Sequence, residues 1–313
     1  MSMPRQWQGR VKIPAIAAPM FLVSNPELVA ATCKAGLVGT FPALNQSSTE
    51  GLVSWLQSLN RVLTESDAPY GVNLIVHKTN SRLQADLEQV VKYKVPLVIT
   101  SLGAVHEVVD AVHGYGGLVF HDVINLRHAH KAASAGVDGL IPVCAGAGGH
   151  AGTLSPFALV PAIRRFFDGY IILSGCISSG ASIAAAIAMG ADFAYLGTRF
   201  IATEESSASP QYKQMLVDST AKDVVYTPAV SGVPASFLRP SLLRAGLDPD
   251  NLELKTGIDL GEELNGSKAW RHIWSAGQGV GQIDDIVPAG ALCERLISDY
   301  RNTCKRMVDG YAN

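Results

Sequence analysis

Leu140-Ile141-Pro142-Val143-Cys144 runs through Ala145 into Gly146-Ala147-Gly148-Gly149-His150-Ala151-Gly152, and this junction decides the fold. A short apolar run bounded by glycine reads as a buried strand, and residues 155–167 that follow have helical spacing. Four glycines in seven residues let a backbone approach a flat ligand without Cβ clashes, and they set one imidazole, His150, beside it. Taken alone, the loop reads equally as a surface turn with an incidental histidine. Its place in the fold separates the two readings.

Working outward, the same strand, glycine turn and helix recur. Apolar runs at 13–19, 37–44, 70–76, 97–100, 118–123, 139–144, 171–174 and 193–196 alternate with helical patterns near 49–63, 81–92, 104–113, 125–135, 155–167 and 180–189. The first helix is announced by Asn25-Pro26-Glu27, an N-cap, a proline at the first helical position and an early acid, and is closed by Gly36. Ala135-Gly136-Val137-Asp138-Gly139-Leu140 and Met189-Gly190-Ala191-Asp192-Phe193-Ala194 echo each other as helix end, turn and strand entry. Near-continuously apolar strands alternating with helices indicate a parallel sheet covered by helices. Eight such units in about 200 residues predict an α/β fold of the (β/α)8 TIM-barrel type rather than an open sheet of five or six strands. Residues 203–274, rich in Ser, Pro, Asp and Asn, break the rhythm and are expected to cap the C-terminal face. Residues 1–202 with 275–313 then form the barrel, and the apolar spacing of 289–307 predicts a helix that closes it.

Composition narrows the partners. The chain has 313 residues, 48% hydrophobic and 17% charged, with a formal net charge of −2, which excludes a disordered chain and gives no electrostatic footprint for nucleic acid or a membrane surface. Five scattered cysteines without CxxC spacing argue against a disulfide framework and a zinc site. Neither a signal-peptide core nor an uninterrupted apolar span is visible, so a cytoplasmic protein acting on small molecules is expected. The apolar face of residues 183–189 is expected to pack on the barrel, so no subunit interface and no oligomeric state is read from it.

In such a barrel the active site lies on the loops after the strands, and a phosphate commonly sits after strands seven and eight. Ser174-Gly175-Cys176-Ile177-Ser178-Ser179-Gly180 and Gly197-Thr198-Arg199 occupy those places with close backbone N–H groups, hydroxyls and helix starts, although plain turn chemistry also explains their glycines. Three other patterns are set aside. Gly146-x-Gly148-x-x-Ala151 mimics a dinucleotide fingerprint but follows the wrong strand, and Cys176 stands where the ribose-binding acid belongs. His128 and His130 lie two apart on a helix and share no face for a metal. His121-Asp122 ends strand five at the functional rim, where a structural hydrogen bond explains the histidine as well as a catalytic role does.

With these elements in order, the chain resembles the FMN-dependent nitronate monooxygenases, formerly 2-nitropropane dioxygenases, whose relatives include flavin quinone reductases and the FabK-type enoyl-ACP reductase. The resemblance covers nearly the whole chain. It rests on Ala18-Pro19-Met20, Gly71-Val72-Asn73, Ala147-Gly148-Gly149-His150-Ala151-Gly152, Ser174-Gly175, Leu196-Gly197-Thr198-Arg199-Phe200 and Ala276-Gly277-Gln278. It implies one non-covalent FMN across the C-terminal mouth. Ala18, Pro19, Met20 and Asn73 would meet the ring or ribityl chain, Gly148 and Gly149 would admit the ring, and Ser174, Gly175, Cys176, Gly197 and Thr198 would bind the phosphate. Gln278 would touch flavin or substrate, and His150 matches the active-site histidine. Two positions depart from the pattern. Cys176 stands where many relatives have a second glycine, and Asp122 stands where some carry a lysine that places a cation near the flavin.

The resemblance implies a flavoprotein oxidoreductase in nitronate detoxification: an alkyl nitronate such as propionate 3-nitronate gives an electron to FMN, O2 reacts, and a carbonyl compound and nitrite leave. The alternative is an NAD(P)H-dependent flavin reductase acting on quinones or enoyl thioesters, with the basic residues Arg239, Arg244, Lys255 and Lys268 of the 203–274 segment as possible but ordinarily solvated nucleotide contacts. A barrel that binds a phosphate ligand without turnover is the third reading, against which His150 in a small-residue loop argues.

Overall fold

The computed structural model describes residues 3–77, 79–103, 106–252 and 272–310. Eight parallel strands close into a barrel: β1 (Ala15–Ala17), β2 (Val38–Pro42), β3 (Tyr70–Ile75), β4 (Leu97–Ser101), β5 (Leu118–Val123), β6 (Gly139–Pro142), β8 (Tyr170–Ser174) and β9 (Phe193–Leu196), with β9 returning to β1 through Ala15↔Ala194. Helices α1 (Pro26–Ala35), α2 (Thr49–Val62), α3 (Leu83–Lys92), α4 (His106–His113), α5 (Leu126–Ser134), α6 (Pro156–Arg164) and α7 (Gly180–Ala188) cover it, so the predicted (β/α)8 TIM barrel is the fold. Three of the helix starts show their side-chain caps plainly. The Asn25 side chain accepts from Leu28 N, Ser48 from Gly51 N, and Asn125 from His128 N, each satisfying an otherwise orphaned amide.

Strand periodicity divides the core into two shells. Leu97 and Ile99 point into the barrel while Val98 points outward to the helices; Phe120, Ile172 and Phe193 likewise fill the interior. Trp7, in a 3-10 turn at Arg5–Trp7, plugs the lower end and meets Phe120 and Phe193 edge-on at 6.0 and 5.5 Å. The long terminal helix, Ala289–Gly310, follows the other ten in chain order (α8 is Thr198–Ile201, α9 Pro210–Val217, α10 Arg239–Arg244) and is designated α11. It packs on α7 so closely that a Cβ on Gly180 would fall on the Tyr300 nitrogen and lie 2.6 Å from the Leu296 carbonyl oxygen. The apolar face of α7 is therefore spent inside the molecule, with Ile183 fully buried beside Leu296.

The segment after the barrel strands builds a second, antiparallel sheet. β10 (Val224–Thr227) pairs with β11 (Ala235–Leu238), and β11 pairs with a two-residue strand β7 (Gly149–His150). The glycine loop after β6, expected as a polar loop, is thus the third strand of this sheet. Among the described residues no helix is long and apolar enough to cross a membrane.

Candidate active site

The C-terminal mouth of the barrel opens into a cavity of about 620 Å³. Its floor is the last inward-facing layer of the strands. Counting by two from the apolar interior, Ile99 leads to Ser101, Phe120 to Asp122, Ile172 to Ser174 and Phe193 to Tyr195, so a polar layer sits directly on an apolar one. Asn73 joins this layer from β3. Its amide nitrogen donates to Ser101 Oγ (3.0 Å) and the Ile99 carbonyl (3.3 Å), which uses both N–H bonds and leaves the side-chain oxygen as its acceptor. Ser101 Oγ in turn donates to Asp122 Oδ2 at 2.6 Å. Burial pushes the Asp122 carboxyl up to about 6, while the Ser101 hydrogen bond pulls the other way.

His150 enters from the side. It pairs with Ala235, its neighbour Gly149 pairs with Ser236, and the Gly149 N–H donates to Ser275 Oγ at 2.7 Å. Ser275 Oγ then donates to the Ser236 carbonyl at 2.6 Å, and the Tyr226 hydroxyl donates to the Ala151 carbonyl at 2.8 Å. These bonds latch the histidine strand to the antiparallel sheet, which gives the imidazole a fixed backbone. Gly148 is needed for a different reason from the one its loop position suggests: a Cβ there would lie 2.8 Å from the Gly277 nitrogen, so glycine permits the two glycine loops to touch.

The end of the cavity where the sequence predicts a phosphate is formed by the loops after β8 and β9 and by Ala276, Gly277 and Gly279. Ser178 Oγ is buried and has no hydrogen-bond partner among the described residues, lines the cavity, and stands two residues ahead of α7. A buried hydroxyl without a partner at the mouth of a helix N-terminus suits an anionic oxygen. The Gly277 N–H donates to Thr198 Oγ1 at 2.9 Å, fixing the late loop while leaving the Thr198 hydroxyl its proton. Cys176 holds φ +56, a left-handed conformation that favours glycine, with its thiol exposed beside the Ala145 carbonyl and Gln278; burial of part of the side chain raises its pKa.

The remaining wall is apolar, with Met20, Leu22, Leu44, Leu102 and Trp274. Trp274 stacks on Tyr212 at 4.8 Å, and the Arg244 guanidinium lies 3.4 Å from the tryptophan ring centroid on a smaller, more open surface.

All the predicted site residues except Gln278 line this one cavity: Ala18, Pro19 and Met20 after β1, Asn73, Gly148, Gly149, His150, Ser174, Gly175, Cys176, Gly197 and Thr198. Gln278 is exposed; its backbone N–H donates to the Gly146 carbonyl at 2.8 Å, and its side-chain oxygen lies 3.9 Å from the Cys176 sulfur at the cavity edge. Ser178 falls in the 174–180 stretch whose hydroxyls the sequence offers to an anion, whereas nothing in the sequence marks Ser101 and Tyr195 except the inward register of their strand ends. His121 is structural: its Nδ1 lies 2.8 Å from Thr100 Oγ1, and burial pulls its pKa down to about 4. His130 stacks on Phe166, and among the described residues no cluster of His, Cys, Asp and Glu is suited to a metal. Arg239 is paired with Asp250 at 2.9 Å; Lys255 and Lys268 lie outside the described residues.

A closed (β/α)8 barrel whose C-terminal mouth carries glycine loops, a polar floor and a latched histidine defines a TIM-barrel enzyme class. The nitronate monooxygenase profile matches residues 5–299, and the chain belongs to that family, whose members are flavin oxidoreductases. It is 30% identical to a nitronate monooxygenase of Paraburkholderia phytofirmans, over 80% of this chain and 81% of that one. It is 25% identical to the (3aS,4S,5R,7aS)-5-hydroxy-7a-methyl-1-oxo-octahydro-1H-indene-4-carboxyl-CoA dehydrogenase of Rhodococcus jostii, over 96% of this chain and 92% of that one. Among solved structures, FabK from Thermotoga maritima superposes with a TM-score of 0.78 at 26% identity, over 96% of both chains.

Proposed function

We propose that this enzyme binds FMN and oxidises alkyl nitronates with O2, releasing a carbonyl compound and nitrite. The observation that carries the reading is the convergence, in a chain of this family, of His150 with a cavity whose far end offers Ser178 Oγ, the α7 N-terminus and glycine backbone to a phosphate. The residues fit the cofactor: the unpartnered, buried Ser178 hydroxyl would hold the phosphate, and the Asn73 side-chain oxygen would be an acceptor for the ring. The flavin supplies the electron transfer. The chain's own residues do the rest. Apolar side chains on the upper wall exclude water, and His150, held by its strand, hydrogen-bonds the anionic nitronate oxygens or carries a proton to them. Replacing His150 with Asn is expected to leave the protein yellow and to cut nitronate turnover by roughly 10²-fold or more; unchanged turnover overturns the assigned role.

A second reading, hydride transfer between a nicotinamide and a quinone or thioester through the same flavin, is favoured by the likeness to FabK and to a CoA-thioester dehydrogenase. Steady-state assays with NADH and NADPH separate the two.

A further inference from the structure

Asp122 is a carboxyl group with an unusual setting. Its strand register turns it into the barrel, above the Phe120 ring and in the wall of the cavity. Oδ2 is held by Ser101, whereas Oδ1 is buried and has no hydrogen-bond partner among the described residues; the Tyr195 hydroxyl in the same layer is in the same condition. Native interiors leave few such atoms, and two in one layer indicate a floor finished by whatever binds on it. Among the described residues lining the cavity there is no lysine or arginine, so no permanently cationic side chain offsets the carboxylate.

We propose that Asp122 is the charge-setting residue of this site: as a carboxylate it opposes negative charge on the redox-active ring bound above it, and as a neutral acid it does not. The inference rests on the flavin reading above. Reduction by two electrons and one proton leaves the ring with one net negative charge, and by two electrons and two protons leaves it neutral. An ionised Asp122 disfavours the first outcome and lowers the affinity of the site for the reduced ring relative to the oxidised one.

The groups around Asp122 leave it room to act. From β4 comes Ser101, β6 presents Ile141, and Val143 follows just beyond its end. On β9, burial first and the Asp122 charge second hold the Tyr195 phenol well above its ordinary value, so it stays protonated. His121 precedes Asp122 but its ring is bonded to Thr100, and burial keeps it neutral above about pH 4. His150 and the Cys176 thiol share the cavity wall.

The test is a potentiometric titration of the FMN complex with dithionite, for wild type and D122N, at pH 5 and pH 8. The ratio of reduced to oxidised FMN affinity is expected to rise at least tenfold in D122N at pH 8, about 30 mV for a two-electron couple, and to match wild type at pH 5. H150N, titrated alongside, is expected to retain the wild-type difference between the two pH values. S101A keeps the acid but removes its hydrogen-bond donor, so the pH at which the wild-type potential departs from that of D122N should move upward; it also serves if D122N does not fold. Equal potentials for wild type and D122N at both pH values, with FMN bound, overturn the role of Asp122 and leave the cofactor reading intact. A protein that takes up no FMN overturns that reading and this inference with it.

Discussion

Replacing Gly180 with Ala tests whether the barrel closure and the phosphate end are one mechanical unit. The added methyl would meet three backbone atoms of α11, falling on the Tyr300 nitrogen, 2.6 Å from the Leu296 oxygen and 2.7 Å from the Asp299 carbonyl carbon. Backbone cannot rotate away as a side chain does, so the cost belongs at the upper end of overpacking, about 3 kcal/mol. Alanine returns up to about 1 kcal/mol in helix propensity, leaving a net loss of about 2 kcal/mol. With an unfolding entropy of roughly 2.1 cal/mol/K per residue, 313 residues give about 0.66 kcal/mol/K, so the Tm should fall by about 3 °C. Gly290 in α11 is the control: nothing lies within 4 Å of a Cβ there, and G290A should raise the Tm by about 1 °C. Because Ser178 stands two residues before α7, G180A should also weaken FMN binding, which G290A should not. Differential scanning fluorimetry and flavin titration read both effects. A Tm for G180A equal to or above wild type refutes the packing argument.

His121 and Asp122 pull stability in opposite directions with pH. The His121 pKa is depressed to about 4 in the fold, so the unfolded chain takes up its proton first and stability falls as pH drops from about 6.5 to 4; the Asp122 pKa is raised to about 6, so the fold takes up its proton first and stability rises as pH drops from about 6 to 3.8. At 1.36 kcal/mol per unit each amounts to about 3 kcal/mol, and they nearly cancel. D122N should therefore lose about 3 kcal/mol more than wild type between pH 6.5 and 4 in denaturant titrations, and parallel curves would contradict the pairing. Ser275→Ala removes the hydroxyl that joins Gly149 to Ser236, and should cost about 1 kcal/mol while lowering kcat more than it raises KM, since it loosens His150 rather than the cavity wall. An unchanged kcat would show that the latch does not position the histidine.

The barrel was legible because its eight strands are apolar runs separated by helices with readable caps such as Asn25 and Ser48. The residues of the site were legible to the extent that glycine marks a loop, which is why positions 148, 149, 175 and 197 stood out. What escaped reading depends on register or on distant pairing. Tyr195 lies in an apolar run and reads as core until Phe193 fixes which side faces inward. The strand at Gly149–His150 has no strand propensity of its own and exists because Ala235 and Ser236 arrive from more than eighty residues away to pair with it. Ser178 reads as turn chemistry, and only its burial without a partner distinguishes it from Ser179, whose hydroxyl is used to cap α7.

The measurement that bears most directly on the proposed activity is the visible spectrum of the FMN-loaded protein under anaerobic conditions, before and after addition of propionate 3-nitronate. The account predicts that the nitronate alone removes the oxidised-flavin absorption, and that admitting air restores it with release of nitrite. An oxidised spectrum that the nitronate leaves untouched and NADH or NADPH bleaches would contradict it and establish the reductase in its place.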